Sequence, residues 1–241
     1  MKTLFVILLI FFTSCAATEE PTVTCPPCAA KLSTNGLLEL ARVQSVKAQE
    51  SNDFRTRAAL AGEGLGYAQF CLNKEPQNAG CLYYRAVNRG LWIESNTGNV
   101  ANQLQKMMAD FNSVIQLNPT YDHGGAYRAL GYVYLKLPAL PIVGDDLHRD
   151  IDKAQTYADE ALRVDDQNAE NLEFAGEVAY AKQDFSKALA YFKQGLALCD
   201  NTTGSPLLTQ KLKDDLKRWT DKAQRNVSVK GENCVHESWN A

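Results

Sequence analysis

The stretch from Asn168 to Asp200 reads NAENLEFAGEVAYAKQDFSKALAYFKQGLALCD. Set in a helix-turn-helix frame of about 34 residues, it places Leu172, Ala175, Gly176 and Ala179 on a first helix and Ala188, Phe192, Gly195 and Leu196 on a second. Small residues recur where two helix backbones must come close. Phe185 and Phe192 supply the bulk that fills what remains. Lys182, Gln183 and Asp184 form a polar turn between the helices. The expected unit is an antiparallel helix hairpin stacked on neighbours of its own kind.

Projected along the chain, the position that closes each unit falls at Pro76, Pro119, Asp166 and Asp200, spaced 43, 47 and 34 residues apart. Two of these three repeats carry extra residues, in both cases between the paired helices. Ahead of Pro76, Leu37, Leu40, Ala41 and Val43 open one helix. A second runs from about Asp53 to Asn73, with Ala58, Ala61, Gly64 and Ala68 near one face. In the next unit the first helix runs from Gly80 to Trp92, and Met107, Phe111, Val114, Ile115 and Leu117 mark the second, across a Ser95 to Asn99 loop. The third unit pairs Ala129 to Tyr134 with Ala154, Tyr157, Ala158, Ala161 and Leu162. Between them, Pro138 and Pro141 must end the preceding helix and stiffen the loop. Ser205-Pro206 is a hydroxyl cap followed by Pro at a first helical position. It opens a capping helix whose stripe is Leu208, Leu212, Leu216, Trp219 and Ala223. Beyond Asn226 the chain reads as a polar tail tied back through Cys234.

Apolar residues at 45% allow a buried core, and charged residues at 22% argue against wholesale disorder. The net charge of -3 offers no basic patch of the kind nucleic acid requires. Lys2 precedes the apolar run Leu4 to Phe12, which is far short of the ~20 residues of a spanning helix and suits the hydrophobic region of a secretory signal. Phe12-Thr13-Ser14-Cys15 resembles a bacterial lipobox, which makes Cys15 the acylated first residue. Cleavage of an ordinary signal near Ala17 is the alternative. Residues 1–14 are thus expected as signal peptide, 15–33 as flexible tether, 34–200 as helical repeats, and 201–241 as capping helix and tail. By resemblance to enterobacterial lipoproteins, the absence of Asp directly after Cys15 implies the outer membrane, facing the periplasm.

Cys25, Cys28, Cys71, Cys81, Cys199 and Cys234 remain, an even count that in an exported chain reads as disulfides. Cys71 and Cys81 flank the turn Lys74 to Asn78 and form the expected pair, worth roughly 2–3 kcal/mol by loop-closure entropy. The pairing of the other four stays open. Cys25-Pro26-Pro27-Cys28 is a local disulfide, or two staples onto the body, in preference to a redox motif, which needs a preceding strand and a supported thiolate.

No catalytic constellation is legible, so no enzyme, cofactor or metal is expected. His123, His148 and His236 lack metal-ligand spacing, and no phosphate-loop or nucleophile-elbow pattern is present. Asp145, Asp146, Asp150, Asp152, Asp165 and Asp166 read as solvated helix ends and turns. The sequons at Asn201 and Asn226 read as chance. The inner face of the stacked first helices is the candidate surface for a partner protein or ligand: Tyr84, Arg85, Asn88 and Trp92 on one helix, with Arg128, Tyr132 and Leu135 on the next. The competing reading is that these aromatics only fill space between helix pairs.

The small and aromatic positions of Ala169 to Leu198 resemble a tetratricopeptide (TPR) repeat, which implies an all-α superhelix of stacked antiparallel hairpins with insertions. Three features together are similar to the TRAP-transporter-associated TPR lipoproteins, called TatT. They are the lipobox, Tyr83 to Gly90, and Gly124 to Gly131 with the Pro138 to Gly144 loop behind it. The resemblance spans roughly Leu37 to Asp200. It implies a lipid-anchored periplasmic protein that associates with the solute-binding subunit of a TRAP transporter and aids ligand delivery. A general envelope-assembly scaffold is the alternative, and a thiol-disulfide protein using Cys25 and Cys28 is a third. A second copy of the chain also stands among the candidate partners. The cysteine content and the extension to Ala241 depart from the family.

Overall fold

The computed structural model describes residues 31–95, 99–138, 147–199 and 205–237, with side chains through Ser228. These residues are all helical apart from turns and connections, and consecutive helices pack in pairs, giving the TPR-like all-α architecture. They fall in two compact units, 31–121 and 122–237.

The first unit holds α1 (Thr34–Glu50), α2 (Phe54–Lys74), α3 (Ala79–Ser95) and α4 (Val100–Leu117). Each helix packs on the next, and α1 also lies against α3, the nearest-neighbour pattern of stacked hairpins. Ser33 and Asp53 start α1 and α2 by accepting from the backbone N–H groups of Gly36 and Thr56. Asn78 does the same for α3 through Cys81 N–H. The core side of α2 is built from Ala61, Gly64, Leu65, Ala68 and Cys71, close to the small-residue face read from sequence. Cys71 and Cys81 are bonded, with their Cα atoms 6.0 Å apart.

The second unit holds α5 (Gly125–Lys136), α6 (Ile151–Val164), α7 (Ala169–Ala181), α8 (Phe185–Leu198) and α9 (Pro206–Glu237). Here too each helix packs on the next, and α7 touches both α5 and α9. Asp150, Asn168 and Asp184 cap α6, α7 and α8, so part of the acidic run does serve helix ends. Ser205 Oγ accepts from Leu208 N–H at 3.4 Å and opens α9. Leu216, Trp219 and Ala223 are buried against Phe192, Ala188 and Ala179, which closes the end of this unit. Beyond Asn226, the polar segment continues α9, which stays helical to Glu237. The insert after α5 is drawn together at its base, where Arg149 N–H donates to Pro138 O at 2.9 Å and Asp150 N–H to Tyr134 O at 3.0 Å.

Cys15, Cys25 and Cys28 lie outside the described residues, as do the inserts 96–98 and 139–146 and the side chain of Cys234. Cys199 is buried. Among the described residues, no helix is long and apolar enough to cross a membrane.

Two aromatic rings occupy the places that two glycines leave open. A Cβ on Gly176 would lie 2.3 Å from the Phe192 ring, and one on Gly131 would lie 2.2 Å from the Phe174 ring. Gly176→Ala is therefore expected to lose about 1–3 kcal/mol by overpacking, despite the better helix propensity of Ala. Gly62, with nothing within 4 Å of its would-be Cβ, is the internal control. Gly62→Ala should gain about 0.5–1 kcal/mol in the same urea titration.

Candidate functional site

The candidate surface divides between the two units. On α3, Tyr84 is half-buried and meets Tyr83 edge-on at 5.2 Å between centroids and Tyr121 at 6.4 Å. Arg85 is held by a two-pronged pair with Asp110 of α4, at 2.8 and 2.6 Å, and by Gln69 of α2 at 2.8 Å. A planar guanidinium bonded on both prongs is fixed in direction as well as charge. Asn88 is fully buried, donating to Ala41 O at 3.0 Å and Tyr84 O at 2.7 Å, so it ties α1 to α3. Trp92 is half-buried against the Ala48, Ala61 and Leu91 cluster.

In the second unit, Arg128 is buried, at 8% exposure, and donates to Asn171 Oδ1 at 2.7 Å, Glu170 Oε2 at 2.5 Å and Asp122 Oδ2 at 3.3 Å. Tyr132 packs on Phe174, with ring centroids 4.6 Å apart, and its hydroxyl donates to Glu177 Oε1 at 3.3 Å. Burial first, then the carboxylates of Glu177 and Glu173, hold this phenol well above its usual range, so it acts as a neutral donor. Leu135 belongs to the core. The structure thus places Asn88 and Arg128 inside their units, where the Asn88 amide nitrogen and the Arg128 guanidinium donate to neighbouring helices and turns. Tyr84, Arg85, Trp92 and Tyr132 keep part of their surface outward.

Asn171, unmarked by the periodicity, organises the α5–α6–α7 junction. Its Nδ2 lies within hydrogen-bond distance of Ala161 O (2.9 Å), Asp165 O (2.8 Å) and His123 O (2.9 Å). Two hydrogens serve three carbonyls, so at least one bond is shared. The first two carbonyls belong to the open end of α6, and the third to a left-handed corner. Asp122 and His123, at φ 51° and 55°, precede Gly124 at φ 79°. Non-glycine residues resist that conformation, and here it is held by Asn171, by Arg128 and by His123 Nδ1 against Asp165 Oδ2 at 2.7 Å. Gly124 is the one of the three suited to the turn, which accounts for a glycine at that point.

Next along the same faces, Lys136 pairs with Glu177, which is buried. Glu173 is half-buried on α7 between Glu170 and Glu177. Burial, then the Glu177 carboxylate, raise Glu173 to about 8. The signal for these two acids was in the sequence as carboxylates set inside the apolar run Leu172 to Ala179. A single chain does not say that Lys136 and Tyr132, about 40 residues earlier, are what Glu177 meets.

Of the remaining acids, Asp152 pairs with Lys182 at 2.8 Å, and Asp165 accepts from Gln167 N–H at 3.0 Å. Asp145 and Asp146 lie outside the described residues. Among the described residues no group of His, Cys, Asp and Glu is arranged to hold a metal. Asn226, in the second sequon, donates to Tyr180 Oη at 2.8 Å. Comparison with protein-family models returns no match, and a search of curated proteins returns no relative.

Two measurements follow from these contacts. Asn171→Ala strips Arg128 of an acceptor and takes one donor from each of three carbonyls, and is expected to cost about 2–3 kcal/mol in denaturant unfolding. Glu173 keeps a proton in the folded state that the unfolded chain releases near its ordinary value of 4.5. Its contribution is therefore full below that value and lost as pH rises to about 8. Glu173→Gln should leave the melting temperature unchanged at pH 4 and raise it by about 3–5 °C at pH 9. A variant with the wild-type pH slope would show that Glu173 ionises normally.

Proposed function

We propose that this chain is a non-enzymatic, lipid-anchored binding protein of the bacterial periplasm that holds the solute-binding subunit of a TRAP transporter and aids delivery of its ligand. The architecture is the observation that carries this reading. Within each unit, hairpins packed in series bring their first helices, α1 with α3 and α5 with α7, against one another, a face suited to gripping another protein. Tyr84 and Trp92 in one unit, and Tyr132 in the other, are half-buried residues with their rings packed from behind. Rings already ordered from behind lose little rotamer freedom when a partner covers them, which is what makes aromatic anchors effective.

The sequence supplies the rest of the proposal. The Leu4 to Phe12 run followed by Cys15 supports export and acylation. Two or more acyl chains hold a protein on a bilayer at ~0.8 kcal/mol per buried methylene. The likeness of Tyr83 to Gly90 and of Gly124 to Gly131 to the TatT lipoproteins supports the transporter link.

Photo-crosslinkers placed at Tyr84, Trp92 and Tyr132 in cells that carry the transporter test this. Mass spectrometry should identify the solute-binding subunit as the captured protein. Trp92→Ala and Tyr132→Ala, with helical circular dichroism retained, should weaken its binding at least about tenfold. Recovery of no solute-binding protein under gentle conditions, or affinities equal to wild type in both variants, would sink the reading.

A further inference from the structure

The Cys71–Cys81 bond is covered in part by an element outside the two helices that carry it. Both cysteines have 0% exposure. Their α2–α3 hairpin is local, closed by the turn Glu75 to Asn78, with the sulfurs ten residues apart in sequence. The cover comes from farther away. Cys71 Sγ lies 3.6 Å from Thr34 O in the first turn of α1. At the start of α3, a Cβ added to Gly80 would meet Tyr121 Oη at 2.8 Å and Leu38 Cδ2 at 3.0 Å, so α1 also packs closely on the helix that carries Cys81. Leu38 belongs to α1, and Tyr121 comes from beyond α4. Outside the bond, the Thr34 hydroxyl and the Asn78 amide both donate to the Glu75 carboxylate. Those two hydrogen bonds, Thr34's first, hold it below its ordinary range.

Thiol-disulfide exchange passes through a mixed disulfide, in which a foreign sulfur is bonded in line with one of the protein's own. In the folded chain both cysteines are without exposure and α1 lies against Cys71, so that third sulfur has no room there. We infer that Cys71 and Cys81 are oxidised on the α2–α3 hairpin before α1 docks, so that the folding chain is itself the substrate of a thiol-oxidising reaction. The co-reactant is a disulfide-bearing oxidant, either a protein dithiol-disulfide oxidase or an oxidised low-molecular-weight thiol. One cysteine thiolate attacks the oxidant's disulfide, forming the mixed disulfide and releasing the first oxidant thiolate. The second cysteine thiolate attacks the protein sulfur of that mixed disulfide, forming Cys71–Cys81 and releasing the second. Two electrons pass to the oxidant, and the two cysteine protons end on its thiols or in solvent. Docking of α1 then places the product out of reach.

The test refolds the full-length chain from its reduced, denatured state in oxidised glutathione. Pulsed amide exchange reads protection of α1, and quenched alkylation reads Cys71 and Cys81, both by peptide mass spectrometry. Protection of residues 34–50 should appear only in molecules in which Cys71 is joined to Cys81. In the converse experiment on native oxidised protein, dithiothreitol should open this bond at least about 100-fold more slowly than in the denatured chain, because only molecules with α1 open can react. Leu38→Ala, which weakens the packing of α1 on the start of α3, should speed that opening while the helical signal persists. Molecules with α1 protected and both thiols still reduced would overturn the inference, as would native reduction at the denatured rate.

Discussion

Close approach of helix backbones is the constraint on which the rest depends. Where Gly131 faces Phe174 and Gly176 faces Phe192, an aromatic ring lies in the space a side chain would otherwise hold. Gly64 does the same for the Asn88 amide. Each such contact sets both the separation and the register of a helix pair, because a ring seated over a glycine cannot slide along the helix without meeting a Cβ. Dispersion and apolar burial then act at full packing density in the Ala154, Ala158, Phe174 and Val178 cluster and in the Ala188, Phe192, Leu216 and Trp219 cluster.

Once the helices are this close, their ends and their few polar side chains have little water to turn to. Asn171 answers for the open end of α6 and for the left-handed corner at Asp122 and His123, and Arg128 holds Asn171 in place. Arg85 does comparable work among α2, α3 and α4, and Asn88 between α1 and α3. Removing one partner from such a network leaves a buried group unpaired, so these side chains determine which packing is adopted more than they add to its net stability. The first-helix faces are consequently less free to bind than a helical projection suggests. Tyr84, Arg85, Trp92 and Tyr132 are among the half-buried residues on these faces.

Much of this was legible in the amino-acid order alone. The spacing of small and aromatic residues located the helix pairs. Ser205 marked the start of α9 by hydroxyl chemistry, and the caps at Ser33, Asp53, Asp150, Asn168 and Asp184, which the structure adds, likewise act over two or three residues. Cys71 and Cys81 declared themselves because a ten-residue loop brings its ends together whatever the rest does. All of these are short-range effects, and short-range effects are written in consecutive residues.

What the sequence left undecided is of another kind. That Arg128 points inward to Asn171, 43 residues on, that Glu177 meets Lys136 and Tyr132, and that α1 covers the disulfide between α2 and α3 depend on which helix faces which in space. A helical stripe shows that a residue lies on a face, but not whether that face is turned to a neighbour or to solvent. The sequence by itself determined the hairpins, the cap of α9 and the local cross-link. Only tertiary packing decided which polar side chains are buried as ties and which remain outward, because burial is a property of two surfaces together and each is encoded far from the other.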